Sequence, residues 1–171
     1  MSNIFEKIRE QVVSVTNKAF LSCEKKGSIP GITLPEMSIE TPRERGFGDF
    51  STNIAMQVAK QAKLPPRKLA ELLVSEMDFS GTYIERVGIA GPGFINFYLN
   101  KDWLYDALKI IQKMRERYGE VDLGKGKKVN VEFVSANPTG PLHMGNARGG
   151  ALGDCIAGVL NKAGYDVTRE F

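Results

Sequence analysis

The sequence predicts an α+β domain, helices with a small antiparallel sheet, followed by the first βαβ unit of an open α/β domain. Three observations predict it. Apolar residues recur at helical spacing from Ile4 to Met77; the period changes to alternation between Tyr83 and Leu99 around Gly91-Pro92-Gly93; and a strand, a helix and a second strand follow within residues 129–171. The Gly- and charge-rich stretch Gly119 to Lys128 reads as an interdomain linker, so the expected domains are 1–120 and 121–171.

Each element has its own signals. Ile4, Ile8, Val12, Val15 and Ala19 form a helical stripe, with Asn3 and Glu6 as an N-cap pair and Lys25, Lys26 and Gly27 as its end. A short strand is expected from Glu36 to Thr41 and a polar loop from Pro42 to Phe50. Ser51 or Asp49 is expected to cap a helix bearing Ile54, Ala55, Val58 and Ala62, and Pro65-Pro66 to open another bearing Leu69, Leu72, Leu73 and Met77. Ile84 to Ala90 and Phe94 to Leu99 make a hairpin. Asn100 caps a helix with Trp103, Ala107, Leu108, Ile111 and Met114 on one stripe. Beyond the linker, Val129 to Val134 is a strand, His143 to Ala163 a helix with Ala147, Ala151, Ile156, Val159 and Leu160 inward, and Val167 to Phe171 a strand. A two-stranded parallel sheet with one helix cannot cover both its faces, so the sequence is expected to be cut inside its α/β domain.

Composition narrows the function classes. At 171 residues, 42% hydrophobic with a net charge of +3, the chain is globular rather than disordered. No apolar run approaches the roughly 20 residues of a membrane span and no signal peptide is evident, so a cytoplasmic protein with no membrane partner is expected. Cys23 and Cys155 stand far apart beside a single histidine, which leaves no zinc or disulfide framework; both are read as buried thiols, and no protein-bound metal is expected. The small positive charge permits nucleic-acid contact without demanding it.

The segment from Ser135 to Gly149 lies between strand and helix, where open α/β sheets bind ligands and a helix N-terminus favours phosphate. His143 and Asn146, three apart, offer two side-chain donors there, suited to charge developing on an ATP α-phosphate, and Gly145 leaves room for a base or ribose near the backbone. The plainer alternative is that His143 caps the helix and Gly145 serves packing.

The longer string Asn137-Pro138-Thr139-Gly140-Pro141-Leu142-His143-Met144-Gly145-Asn146-Ala147-Arg148-Gly149, after Val131-Glu132-Phe133-Val134-Ser135, resembles the first signature of class I aminoacyl-tRNA synthetases in its arginyl form. Gly48-Asp49-Phe50-Ser51-Thr52-Asn53-Ile54-Ala55-Met56 and Ala90-Gly91-Pro92-Gly93-Phe94-Ile95-Asn96-Phe97 resemble the N-terminal additional domain of bacterial arginyl-tRNA synthetases. The resemblance implies a Rossmann-like catalytic domain after residue 120, arginine activation with ATP and Mg2+, and transfer to the terminal adenosine of tRNA(Arg), in an enzyme expected to be a monomer.

It also implies roles by position. The signature Ala136 to Asn146 is the ATP site, with His143, Gly145 and Asn146 on the nucleotide and His143 and Asn146 catalytic. Glu132 meets the substrate guanidinium, and Asn137 with Ser135 the α-amino group. Phe94 and Asn96 read an unstacked D-loop base, with Arg43 and Arg45 on phosphates. Asn146 departs from the commoner second histidine, which removes a titratable group. Arg148 is read as pairing with an acid on its helix, the alternative being contact with nucleotide or tRNA, and Asp154 is read as structural. The 171-residue piece alone is expected to be inactive. The rival readings are another class I synthetase or nucleotidyltransferase, and a free tRNA-binding module.

Overall fold

A computed structural model describes residues 4–171, apart from the side chain of Arg45. The Asn3 cap therefore lies outside the described residues. The chain divides into two compact units between Lys109 and Ile110, earlier than the expected boundary at 120.

In the first unit, helix α1 (Ile4–Lys25) buries the predicted stripe Ile4, Ile8, Val12, Val15 and Ala19, together with Thr16, Phe20 and Cys23. Thr16 is tolerated in the core because its Oγ1 donates to Val12 O at 2.8 Å. Strand β1 (Phe50–Thr52) precedes α2 (Ile54–Ala62) and α3 (Pro66–Ser75); β2 (Ile84–Ala90) and β3 (Phe94–Leu99) form the hairpin. The antiparallel sheet has the order β1-β3-β2, with Phe50 opposite Phe97, Ser51 opposite Asn96, and Gly88 also opposite Asn96. Ile95 and Phe97 on one face of β3 are buried, and α2 and α3 pack against this sheet. Burial of the Cys23 thiol raises its pKa.

Two local expectations fail here. Glu36 to Thr41 is not a strand; only Glu40 pairs, in an isolated antiparallel bridge with Ser51. Ser51 lies in β1 rather than capping α2, whose N-cap is Asn53. The loop before β1 passes so close to the sheet that a Cβ on Gly48 would lie 2.7 Å from Phe97 O, and Gly48 has a φ of 89°. A side chain fits there on neither count.

Helix α4 (Asp102–Met114) crosses the division between the units, with Asn100 Oδ1 accepting from Asp102 N at 3.0 Å. Of its predicted stripe only Ala107 is buried; Leu108 and Ile111 are exposed.

In the second unit, β4 (Lys128–Glu132) and β5 (Asp166–Glu170) pair in parallel around α5 (Met144–Lys162), a βαβ unit as read from the sequence. The stretch read as a linker is instead hydrogen bonded to it: Val121 N donates to Lys162 O, Gly124 N to Ala163 O and Gly126 N to Gly164 O, at 2.8–2.9 Å. The inward face of α5 also differs. Gly153 and Ala157 are buried, whereas Ala147, Ala151, Ile156 and Val159 are exposed. Cys155 is exposed too, against the expectation of a buried thiol. No helix among the described residues is long and apolar enough to cross a membrane.

Candidate functional site

Two arrangements, one in each unit, bring predicted site residues together. The first is the turn from β4 into α5. The backbone leaves the strand through Val134 and Ser135 at φ 71° and 42°, a left-handed conformation that costs on the order of 1–3 kcal/mol per residue and is unusual for a β-branched side chain. Two contacts hold it. Val134 O accepts from Asn146 Nδ2 at 3.1 Å, and Ser135 Oγ donates to Glu132 Oε1 at 2.7 Å.

His143 is the N-cap of α5. Its Nδ1 accepts from Gly145 N at 3.1 Å, while Asn146 Oδ1 accepts from His143 N at 3.0 Å, a reciprocal capping box. The plainer reading of His143 as a cap is therefore realised in the geometry. It does not consume the ring: a nitrogen that accepts carries no proton, so the imidazole is the Nε2–H tautomer, with one donor left over. Gly145 is needed for the ring itself. A Cβ there would lie 2.8 Å from His143 Cε1 and 2.9 Å from Nδ1, so the space the sequence suggested for a base or ribose is bordered by the imidazole.

Close helix–strand approach sets the position of this turn. A Cβ on Gly153 would lie 2.2 Å from Phe133 Cβ, and one on Gly150 3.3 Å from Val134 Cγ2. Glu132, Ser135 and His143–Asn146 are thus tied by hydrogen bonds around one turn. Asn137 is exposed and bonds to no described residue. Asp154 pairs with Arg169 at 3.1 Å, as a structural residue would, whereas Arg148 has no ion pair among the described residues, contrary to the expected helix salt bridge. No group of three or more His, Cys, Asp or Glu that could hold a metal occurs among the described residues.

The second arrangement is a groove on the sheet face opposite the helices. It encloses about 420 Å³ and is lined by residues that include Arg43, Phe47, Ser51, Phe94 and Asn96. Phe94 and Asn96 share this face because side chains two apart on a strand point the same way. Phe94 and Phe47 are exposed, whereas Asn96 is only 3% exposed and its Oδ1 accepts from Ser51 Oγ at 2.8 Å. Asn96 is therefore the floor of the groove, not a turn-adjacent surface residue. Tyr98, next on this face, donates to Gly46 O at 2.9 Å and lies 3.4 Å beneath the Arg86 guanidinium, which fixes the loop forming the opposite wall. Arg43 lines that wall, while the Arg45 side chain is outside the described residues. Sequence reading missed Phe47 and Ser51 as groove residues; the family resemblance that pointed to Phe94 and Asn96 named neither of them.

Comparison with known proteins identifies the family. The family model of the arginyl tRNA synthetase N terminal domain matches residues 6–99, and that of the class I (R) tRNA synthetase catalytic domain matches residues 108–171. Arginine–tRNA ligase of Acetivibrio thermocellus is 61% identical over the whole of this chain, and that of Ruminiclostridium cellulolyticum 54%. The chain spans 30% of the length of each. The crystal structure of arginyl-tRNA synthetase from Plasmodium falciparum shares the fold at a TM-score of 0.57 and 21% identity, over 92% of this chain and 29% of that one. With an N-terminal domain match covering more than half of its residues, the chain belongs to the arginyl-tRNA synthetase family.

Proposed function

We propose that this chain supplies the tRNA D-loop contact and the first ATP-binding turn of an enzyme that joins arginine to tRNA(Arg). Arginine and ATP give arginyl-adenylate and pyrophosphate; the arginyl group then passes to the terminal adenosine of the tRNA. The observation that carries the reading is the end-to-end likeness to arginine–tRNA ligases, with the family's signature falling on a parallel βα turn. A Rossmann-like sheet completed by further strands and a cytoplasmic, monomeric enzyme belong to the same reading.

In the first step the arginine carboxylate attacks the α-phosphorus and pyrophosphate leaves, with magnesium entering on the ATP phosphates. His143 Nε2–H and the helix α5 N-terminus meet the charge that develops on the phosphoryl oxygens. Asn146 acts differently from a second histidine. Oδ1 accepts from His143 N and one Nδ2 hydrogen goes to Val134 O, which holds the turn and orients the His143 backbone, and the second Nδ2 hydrogen is left for a phosphoryl oxygen. Glu132, with Ser135 fixing one carboxylate oxygen, accepts the guanidinium, and Asn137 and Ser135 hold the amino end of the substrate. In the groove, a D-loop base stacks on Phe94 over the Asn96 amide, with Arg43 and Arg45 on phosphates.

The test uses the complete enzyme. Glu132→Gln should raise the KM for arginine by tenfold or more and leave that for ATP within about twofold, since a neutral amide cannot match a charge-assisted pair. Equal effects on both substrates would remove Glu132 from the guanidinium site.

A further inference from the structure

Positive charge is unevenly spread along the chain. Between Asp49 and Glu71 the sequence holds Lys60, Lys63, Arg67 and Lys68 and no acidic residue, so this stretch alone carries +4 in a chain whose net charge is +3. The fold gathers the four at one corner of the first unit. Lys60 lies in the last turn of α2, Lys63 is its left-handed C-cap, and Arg67 and Lys68 stand in the first turn of α3. Both helices bury their apolar sides, α2 through Ile54 and Val58 and α3 through Leu69 and Leu73, and all four cations are exposed.

The corner abuts the groove through the hairpin turn. Arg67 Nη1 donates to Gly91 O at 3.1 Å, and a Cβ on Gly93 would lie 3.0 Å from the carbonyl carbon and oxygen of Pro66. Helix α3 therefore starts against the turn whose Gly91 and Pro92 line the groove. Arg67 also pairs with Glu71, at 3.3 Å, so its fork is engaged in holding the turn and its charge is answered within the protein. Lys60, Lys63 and Lys68 differ: none has a side-chain ion pair or hydrogen bond among the described residues. Nothing on this corner neutralises the three ammonium groups.

We infer that Lys60, Lys63 and Lys68 form a further tRNA contact outside the groove, one that takes backbone phosphates. The inference rests on reading the groove as the D-loop site. Continuity with that site decides the partner: a nucleotide whose base sits in the groove carries its chain out over the rim, and the rim at Gly91-Pro92 borders the lysine corner. Lysine suits the task, being a mobile point charge on a flexible stem that meets phosphate without reading sequence. The corner thus supplies affinity and salt dependence, and Arg67 ties it to the hairpin turn.

Equilibrium binding of a tRNA(Arg) transcript to the complete enzyme, across a salt series, tests this. Each phosphate neutralised contributes about 0.7–0.9 to the slope of log affinity against log salt. Lys60→Gln, Lys63→Gln and Lys68→Gln combined should make that slope shallower by about 2 and weaken binding roughly tenfold or more at about 0.1 M salt, with Tm unchanged. The loss should be the same factor for a transcript with a substituted D-loop base, because phosphates carry no sequence. The corresponding triple change to arginine, which keeps the charges, should keep the slope. Phe94→Ala should weaken binding and leave the slope as it is, since an uncharged ring releases no counterions. An unchanged slope in the glutamine variant, or an equal loss of slope in the arginine variant, would overturn the lysine contact. Wild-type affinity in Phe94→Ala, with the slope still lowered in the glutamine variant, would overturn the groove reading alone.

Discussion

Replacing His143 by asparagine separates the cap seen in the structure from the donor role proposed for the same ring. Nδ1 accepts the Gly145 N–H at 3.1 Å as the cap of α5, and Nε2–H is the only hydrogen-bonding group the ring has left. Asparagine ranks with the best N-cap residues, so His143→Asn keeps the cap but offers its remaining N–H from a shorter side chain, short of where Nε2 stands; His143→Ala loses the donor and about 1 kcal/mol of cap. Removing one preorganised donor from a site of developing charge costs about 10²–10³ in rate. Both variants of the complete enzyme should therefore slow adenylate formation by 10² or more in ATP–pyrophosphate exchange, while only His143→Ala lowers Tm. Gly145→Ala should join them in rate, because its Cβ would stand 2.8 Å from the imidazole and displace it. Exchange within threefold of wild type in His143→Asn would reduce His143 to a cap and refute the assignment.

Two further predictions concern stability. Gly153→Ala gains about 1 kcal/mol of helix propensity but puts a Cβ 2.2 Å from Phe133 Cβ, an overlap whose relief costs 1–3 kcal/mol; thermal unfolding should show net destabilisation, and a raised Tm would contradict the packing. Glu76 is held below its ordinary pKa by hydrogen bonds from Lys26 and then Ser22, so its contribution is present above the unfolded value and is lost as pH falls through the folded one. The Tm difference between wild type and Glu76→Gln should accordingly be present at neutral pH and vanish on acidification into and below the carboxylate range; a difference constant with pH would contradict the pairing.

Which parts of this structure the sequence disclosed follows from where the physical signal lies. The α1 stripe and the β2–β3 hairpin were legible because burial on one face imposes a period, and Gly91-Pro92-Gly93 marks the turn. Strand β1 was not, since three residues buried in succession leave no alternation to read. The inward face of α5 was misread because its closest contacts are made by glycines, which carry no hydropathy, while Ile156 and Val159 stand exposed. The supposed linker shows the same limit: its Gly124 packs against Tyr165 and pairs through backbone atoms, neither of which composition records. At the turn from β4 into α5, the segment was legible as a family signature, but which atoms hold the turn was not. Capping by His143 Nδ1 and the double commitment of Asn146 are matters of geometry.

The most direct measurement is amino-acid-dependent ATP–pyrophosphate exchange by the complete enzyme, run with each of the common amino acids, with and without tRNA(Arg). The account predicts exchange with arginine and none with the others. Exchange supported by a different amino acid, with arginine inert, would contradict it.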